Sequence, residues 1–182
     1  MVAEVDDQIN RFRFILKDVD AVPRFLHNFH NGGEIVKSAT EILQGAGIVT
    51  TRQRVVLLDM LLRRDDHPDA ERLLVEARVG MPSLSVDTVY RTLNLFVEAG
   101  VIQRMAVPTR RARFDGCTDP HDHFLCSDCE TIQDIPRPSK RAAAIPAQVS
   151  ACGVVSDVQT VYVGVCRRCA AQSGSFTPQR IG

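Results

Sequence analysis

Two Cys-x-x-Cys pairs, Cys126/Cys129 and Cys166/Cys169, have 36 residues between them and constrain this 182-residue chain more than any other feature. Each pair can grip one edge of a tetrahedral zinc ion, and together they make a closed Cys₄ structural site. One pair alone would leave a redox dithiol open; two in one small domain favour zinc. The segments around them read as a small α/β unit. Phe124–Cys126, Thr131–Ile135 and Asp157–Val165 suit strands, Pro136-Arg137-Pro138 interrupts, and Ala142–Ala151 suits a helix starting near Pro146. The chain has no Trp and two Tyr, and a core so poor in large side chains needs a staple. Cys117 and Cys152 are left over, and each reads as a bystander thiol.

The setting agrees with metal rather than disulfides. The acidic start, Met1–Asp7, has no apolar run of a secretory signal, so the expected compartment is the cytoplasm. No run of 18 apolar residues suits a membrane-spanning helix.

The preceding stretch reads as helices. Val55, Val56, Leu58, Met60, Leu61 and Leu62 follow an N-cap at Thr50 or Thr51. A second helix spans about Asp69–Val79, with Ala70, Leu73, Leu74 and Ala77 on one face, and Gly80-Met81-Pro82 ends it. Ser85 caps a third, whose apolar stripe is Val86, Val89, Leu93, Phe96 and Val97 and whose stop is Gly100. Val101–Val107 and Arg111–Asp115 then suit two strands joined at Pro108-Thr109. Three helices and a hairpin make a winged helix-turn-helix, whose last helix enters the major groove of DNA.

Lys+Arg and Asp+Glu both number 22, so bulk charge names no partner. The small basic excess lies in residues 39–113, where Arg104, Arg110, Arg111 and Arg113 cluster at the wing. A wing rests on the phosphate backbone, which tilts the polar face of the third helix toward DNA over an ordinary solvated face. Ser85, Thr88, Tyr90, Arg91 and Asn94 lie off the apolar stripe and can reach phosphates or base edges. Arg54 and Arg111 complete the candidate DNA contacts.

A second constellation is Asp115, His121-x-His123 and Asp134. A His-x-His pair on a strand puts both rings on one face. Imidazoles with carboxylates form a mixed N/O set suited to exchangeable Fe²⁺, Mn²⁺ or Zn²⁺. His27 and His30 lack nearby thiols or a carboxylate cluster and read as surface histidines. An open catalytic metal site on Asp115, His121 and His123 would need a general base and a substrate pocket, and no motif supplies them. The enzyme reading is therefore set aside, and a zinc-ribbon interaction module is the other alternative.

Taken together, these residues resemble the ferric uptake regulator family of metal-dependent bacterial repressors. The resemblance runs from about Ser38 to Gln172. It rests on Ala46-Gly47-Ile48 with Thr51-Arg52-Gln53-Arg54, on Ser85 through Asn94 with Glu98-Ala99-Gly100, and on Arg113-Phe114-Asp115. It continues through His121 to Cys129 and Gly164 to Cys169. It implies an α+β chain: an N-terminal winged-helix domain with hinge over 38–113 and a small α/β metal-binding dimerisation domain over 114–172. Outside these lie an N-terminal extension over 1–37, whose Phe12, Phe14, Ile15, Leu16, Phe25, Leu26 and Phe29 suit an extra helix, and a tail over 173–182. It further implies a homodimer on a palindromic double-stranded operator, and a fifth regulatory ligand at His67.

The resemblance also speaks to subtype. Iron-responsive members commonly carry Glu where this chain has Asp115 and Asp134, and peroxide-sensing members carry Asp at both. In those sensors bound Fe²⁺ reacts with hydrogen peroxide and oxidises a ligand histidine, which would be His67 or His121 here. Mn²⁺ supports DNA binding without that reaction. An iron-, manganese- or zinc-responsive uptake regulator is the alternative, and Cys117 could add a softer ligand in a zinc sensor. Two departures stand out. Glu130 occupies a place where the family usually has Gly, and Asp157-Val158-Gln159 lacks a His that some members use, so no full second regulatory site is expected.

Overall fold

The structure, a computed structural model, describes residues 37–137, 145–155 and 158–173. The expected helix over 1–37 and the pair His27/His30 lie outside the described residues. Two compact units emerge. The first holds the described residues up to Met105 together with Arg111–Thr118; the second holds Ala106–Arg110 and the described residues from Asp119 onward.

The first unit has four helices: α1 (Ala39–Gly45), α2 (Arg52–Leu62), α3 (Ala70–Ala77) and α4 (Val86–Glu98). Helix α1 is an addition to the three that the apolar periodicity gives. Its signal is a capping box: Ser38 Oγ accepts from Glu41 N–H, and the Glu41 carboxylate accepts from Ser38 N–H at 2.6 Å. Thr51, Asp69 and Ser85 cap the other three through their side chains. Helix α4 ends at Gly100, whose φ of 67° only glycine adopts freely. Val101 N–H reaches Phe96 O and Gly100 N–H reaches Val97 O, closing the helix end.

Leu43, Leu57, Leu58, Leu61, Leu73, Leu84, Val89, Leu93, Phe96, Ile102 and Phe114 form the core of this unit. Val86 is a correction. It heads α4, 43% exposed, and Thr92 is buried in the stripe instead.

The wing is shorter than its sequence suggests. Strand β1 (Gln103–Arg104) pairs antiparallel with β2 (Phe114–Asp115), and one further bond joins Met105 N–H to Arg113 O. The ladder then stops, because Ala106 N–H donates to Gln159 Oε1 and Pro108 has no N–H to give.

The second unit is a three-stranded sheet in the order β4-β3-β5, with β3 Asp122–Cys126, β4 Ile132–Ile135 and β5 Val161–Gly164. Strand β3 runs antiparallel to β4 and parallel to β5. Two helices, α5 (Ala147–Ser150) and α6 (Arg167–Ser173), complete it. Strand β5 is shorter than the expected Asp157–Val165, and residue 157 lies outside the described residues.

Candidate metal centres and nucleic-acid interface

The Cys₄ cluster grows from strand ends. Cys126 closes β3 and Cys166 follows β5, and the two strands pair with Cys126 opposite Gly164. Between the knuckles, Ser127 N–H donates to Gly164 O at 2.8 Å. Cys169 is carried on α6, whose Ala170 N–H returns to Cys166 O. The first knuckle turns through Glu130, whose φ is 55° and whose N–H donates to Cys126 O. The position where a glycine is usual is therefore one that demands left-handed backbone.

All four sulfurs lie within 4.8 Å of one another, and Cys129 Sγ is 3.9 Å from Cys166 Sγ. Two thiolates on one zinc ion stand about 3.8 Å apart, given Zn–S bonds of about 2.3 Å. The charges agree. The Thr131 hydroxyl, then its backbone, brings the Cys129 thiol down to about 6. Burial pushes Cys126 up, but the N–H groups of Cys166, Cys129 and Asp128 outweigh it and leave the thiol lowered. Hydrogen bonding to Cys166, then to Cys129, pushes Cys169 up to about 12. Four thiolates this close need a cation to ionise together, and the donor set fits Zn²⁺.

The mixed N/O residues fall into two groups, one in each unit. In the second unit His123 on β3 sits directly opposite Asp134 on β4. Asp134 Oδ1 is 3.5 Å from His121 Nε2 and 3.8 Å from His123 Nε2, and the two rings are 4.4 Å apart between centroids. These spacings exceed a hydrogen bond. They approach the ~3.4 Å expected of donors sharing one ion at about 2.1 Å. His121 lies one residue ahead of the strand on which both histidines were expected, yet the rings still share a face.

In the first unit His67 and Asp115 are both buried, with Nε2 and Oδ1 3.9 Å apart. His67 has φ 47°, a costly conformation for a side-chain-bearing residue and one that clusters at functional positions. Phe114 N–H donates to Pro68 O, tying the His67 loop to β2. Cys117 N–H donates to Asp115 Oδ1 at 2.7 Å and orients the carboxylate. Gly116 is required between them, since a Cβ there would lie 2.6 Å from the carbonyl oxygen of Leu61 in α2.

A charged quartet flanks His67 in the sequence. Arg64 Nε and Nη1 meet Asp66 and Glu76 at 2.5 and 2.6 Å, and Arg72 meets the same two acids.

The candidate DNA contacts all belong to the first unit. Arg91 is 80% exposed on α4, beside Asp87 at 3.6 Å, and Asn94 is exposed one turn on. Ser85 and Thr88 share a hydroxyl contact of 2.9 Å at the helix start. Arg54 Nη1 donates to Val49 O at 2.6 Å. Tyr90 and Arg111 converge on two acids that sequence patterning did not single out, Asp69 and Glu71. Burial first, then the hydrogen bond to Glu71, raises the Tyr90 hydroxyl above its ordinary value and keeps it a donor.

The model of the ferric uptake regulator family matches residues 45–161, which contain the helices α2 to α4, the wing, the mixed N/O residues and the first cysteine knuckle. The chain belongs to the ferric uptake regulator family. It is 31% identical over 136 residues to the peroxide operon regulator of Bacillus subtilis, covering 74% of this chain and 93% of that one. It is 33% identical over 136 residues to the ferric uptake regulation protein of Campylobacter jejuni, covering 72% and 86%. The solved structure of a zinc-bound manganese uptake regulator is similar at 26% identity and TM-score 0.53, over 70% of this chain and 98% of that one. In the family's terms the first unit is the winged-helix domain and the sheet of the second is the α/β dimerisation domain. The chain is accordingly a metal-dependent DNA-binding repressor, and Cys126, Cys129, Cys166 and Cys169 form a cluster that could hold a metal ion, with a donor set suited to zinc.

Proposed function

We propose that this repressor senses hydrogen peroxide through one regulatory Fe²⁺ or Mn²⁺ ion. Its ligands in this reading are His67 and Asp115 from the first unit with His121, His123 and Asp134 from the second. The observation that carries the reading is the pair of short carboxylates, Asp115 and Asp134, each beside histidine nitrogen at ligand spacing within its own unit. The relationship to the Bacillus subtilis peroxide operon regulator supports it.

Ligation from both units favours one interdomain arrangement, and DNA affinity rises by the free-energy difference between arrangements. Ferrous iron held by these residues would supply the electron that activates peroxide. The chain's part is to hold the imidazoles of His67 and His121 where oxidation of either weakens its ligation and uncouples the units. Mn²⁺ gives the same DNA binding without ring oxidation.

The repressor acts as a homodimer on a palindromic operator. Among the described residues strand β5 is an edge of its sheet and leaves Tyr162 and Val163 exposed, a face suited to a second copy. The proposed DNA surface is Arg54, Ser85, Thr88, Tyr90, Arg91, Asn94 and Arg111, and the proposed compartment is the cytoplasm. No helix among the described residues is long and apolar enough to cross a membrane.

A plain iron-, manganese- or zinc-responsive uptake regulator is the second reading, favoured by the 33% identity to the Campylobacter jejuni protein. Mass spectrometry separates the two. Under mild peroxide the Fe²⁺ form gains oxygen on His67 or His121 and loses DNA, while the Mn²⁺ form is spared. Unmodified histidines and retained DNA affinity in the Fe²⁺ form select the second reading. Arg91→Ala tests the DNA surface: operator binding weakens with metal content unchanged.

A further inference from the structure

Two of the proposed DNA-contacting side chains already have carboxylate partners within the first unit. Tyr90 on α4 donates through its hydroxyl to Glu71 Oε1 at 3.0 Å. Arg111 Nη1 lies 3.3 Å from Asp69 Oδ2 and 3.9 Å from Glu71 Oε2. The two acids are not equivalent. Asp69 is the N-cap of α3: its Oδ1 accepts from Arg72 N–H at 2.8 Å while Oδ2 faces Arg111. Glu71 sits in the first turn of α3 and offers one oxygen to the tyrosine and the other toward the arginine. A tyrosine hydroxyl and a guanidinium sharing two oxygens of one anion is the arrangement that a DNA phosphate would take up.

We propose that Glu71 is an internal stand-in for a DNA phosphate, holding Tyr90 and Arg111 in their binding arrangement and yielding them when the DNA backbone arrives. Asp69 stays as the helix cap and keeps Arg111 anchored. The consequence for recognition is specific. Glu71 keeps the surface ordered in the free protein, and it lowers affinity for every DNA sequence alike, because phosphate contacts carry no base information. It thereby leaves net affinity dependent on the additional contacts of a true operator and on the metal-favoured arrangement.

This inference rests on the DNA-binding reading of Tyr90 and Arg111, and the test separates the two. The full chain, loaded with Zn²⁺ and Mn²⁺, is titrated against a fluorescently labelled mixed-sequence duplex and followed by anisotropy. Glu71→Gln keeps a hydrogen-bond acceptor for Tyr90 and removes the charge. Freeing Tyr90 and Arg111 from a charged partner strengthens binding about tenfold per protomer, on top of the about threefold that removing one charge ~6 Å from a phosphate in water gives by itself. The melting temperature and metal content should not change. In a Tyr90→Phe/Arg111→Ala background, the same Glu71→Gln change should give less than half of that gain on a logarithmic scale. An undiminished gain in that background means only bulk charge and overturns the proposal, as does unchanged affinity of the single variant. A wild-type chain that binds no duplex in any metal form removes the DNA-binding reading itself. Wild-type binding that Glu71→Gln leaves unaltered removes only the role of Glu71.

Discussion

His121 Nδ1 lies 2.7 Å from the carbonyl oxygen of Asp119, and because a carbonyl only accepts, the ring proton sits on Nδ1. Nε2, the nitrogen facing Asp134, then carries the lone pair. The backbone thus sets the tautomer that a metal ligand needs.

The first prediction concerns that ring. His121→Ala should lower Mn²⁺ affinity at least about tenfold, because both a ligand and its orienting bond are lost. Zinc content should stay at the wild-type level. Equilibrium dialysis with elemental analysis measures both, and wild-type Mn²⁺ affinity would exclude His121 from the site.

The second concerns the Cys₄ cluster. Cys126→Ser, or strong chelation, should remove zinc and unfold the second unit, since metal binding there contributes folding free energy. Circular dichroism and sizing should report the loss together with that of the dimer. A zinc-free chain that keeps its dimer and its melting curve would show that the cluster is not structural.

Glu130 offers a gain of stability. Its φ of 55° disfavours any side chain. Glu130→Gly should relieve that cost, less the extra freedom of glycine in the unfolded chain, for a net ~0.5–1 kcal/mol. The midpoint of urea unfolding in the zinc-loaded form should rise. A lowered midpoint would mean that the Glu130 side chain contributes more than its backbone costs.

Asp66 gives a pH dependence. Burial pushes its carboxyl up, but the hydrogen bond from Arg64 and the charges of Arg64 and Arg72 outweigh it and hold it below its ordinary 3.8. A depressed carboxyl contributes stability that is present above 3.8 and is lost as pH falls through the lowered value. Asp66→Asn should therefore cost ~1–3 kcal/mol at neutral pH, with the difference shrinking in strong acid. Chemical denaturation at a series of pH values tests it; a difference independent of pH would contradict it.

The sequence made the helical framework and the zinc cluster readable because both are encoded locally. Leu73, Leu74 and Ala77 repeat at helical spacing, and each cysteine pair is a short motif. Helix α1 escaped because the whole helix is seven residues long and buries only Ala39 and Leu43; its signature is the Ser38/Glu41 box. The wing strands were overestimated because β-propensity does not register that Ala106 N–H goes to a side chain 53 residues away. His67 came from family resemblance, since one loop histidine has no local pattern. Glu71 was invisible for a related reason: 19 residues separate it from Tyr90, and only the packing of α3 near α4 brings them together.

Gly116 leaves no room for even a methyl group against the Leu61 carbonyl. Where backbone meets backbone there is no flexible side chain to absorb a displacement. The end of α2 and the segment carrying Asp115 therefore work like a push-rod and its seat. A small tilt of the helix is delivered undamped to the carboxylate, and a pull on the carboxylate is felt by the helix. Gly116→Ala would wedge the joint, so its effect should be mechanical, shifting Asp115 without altering any charge or donor atom.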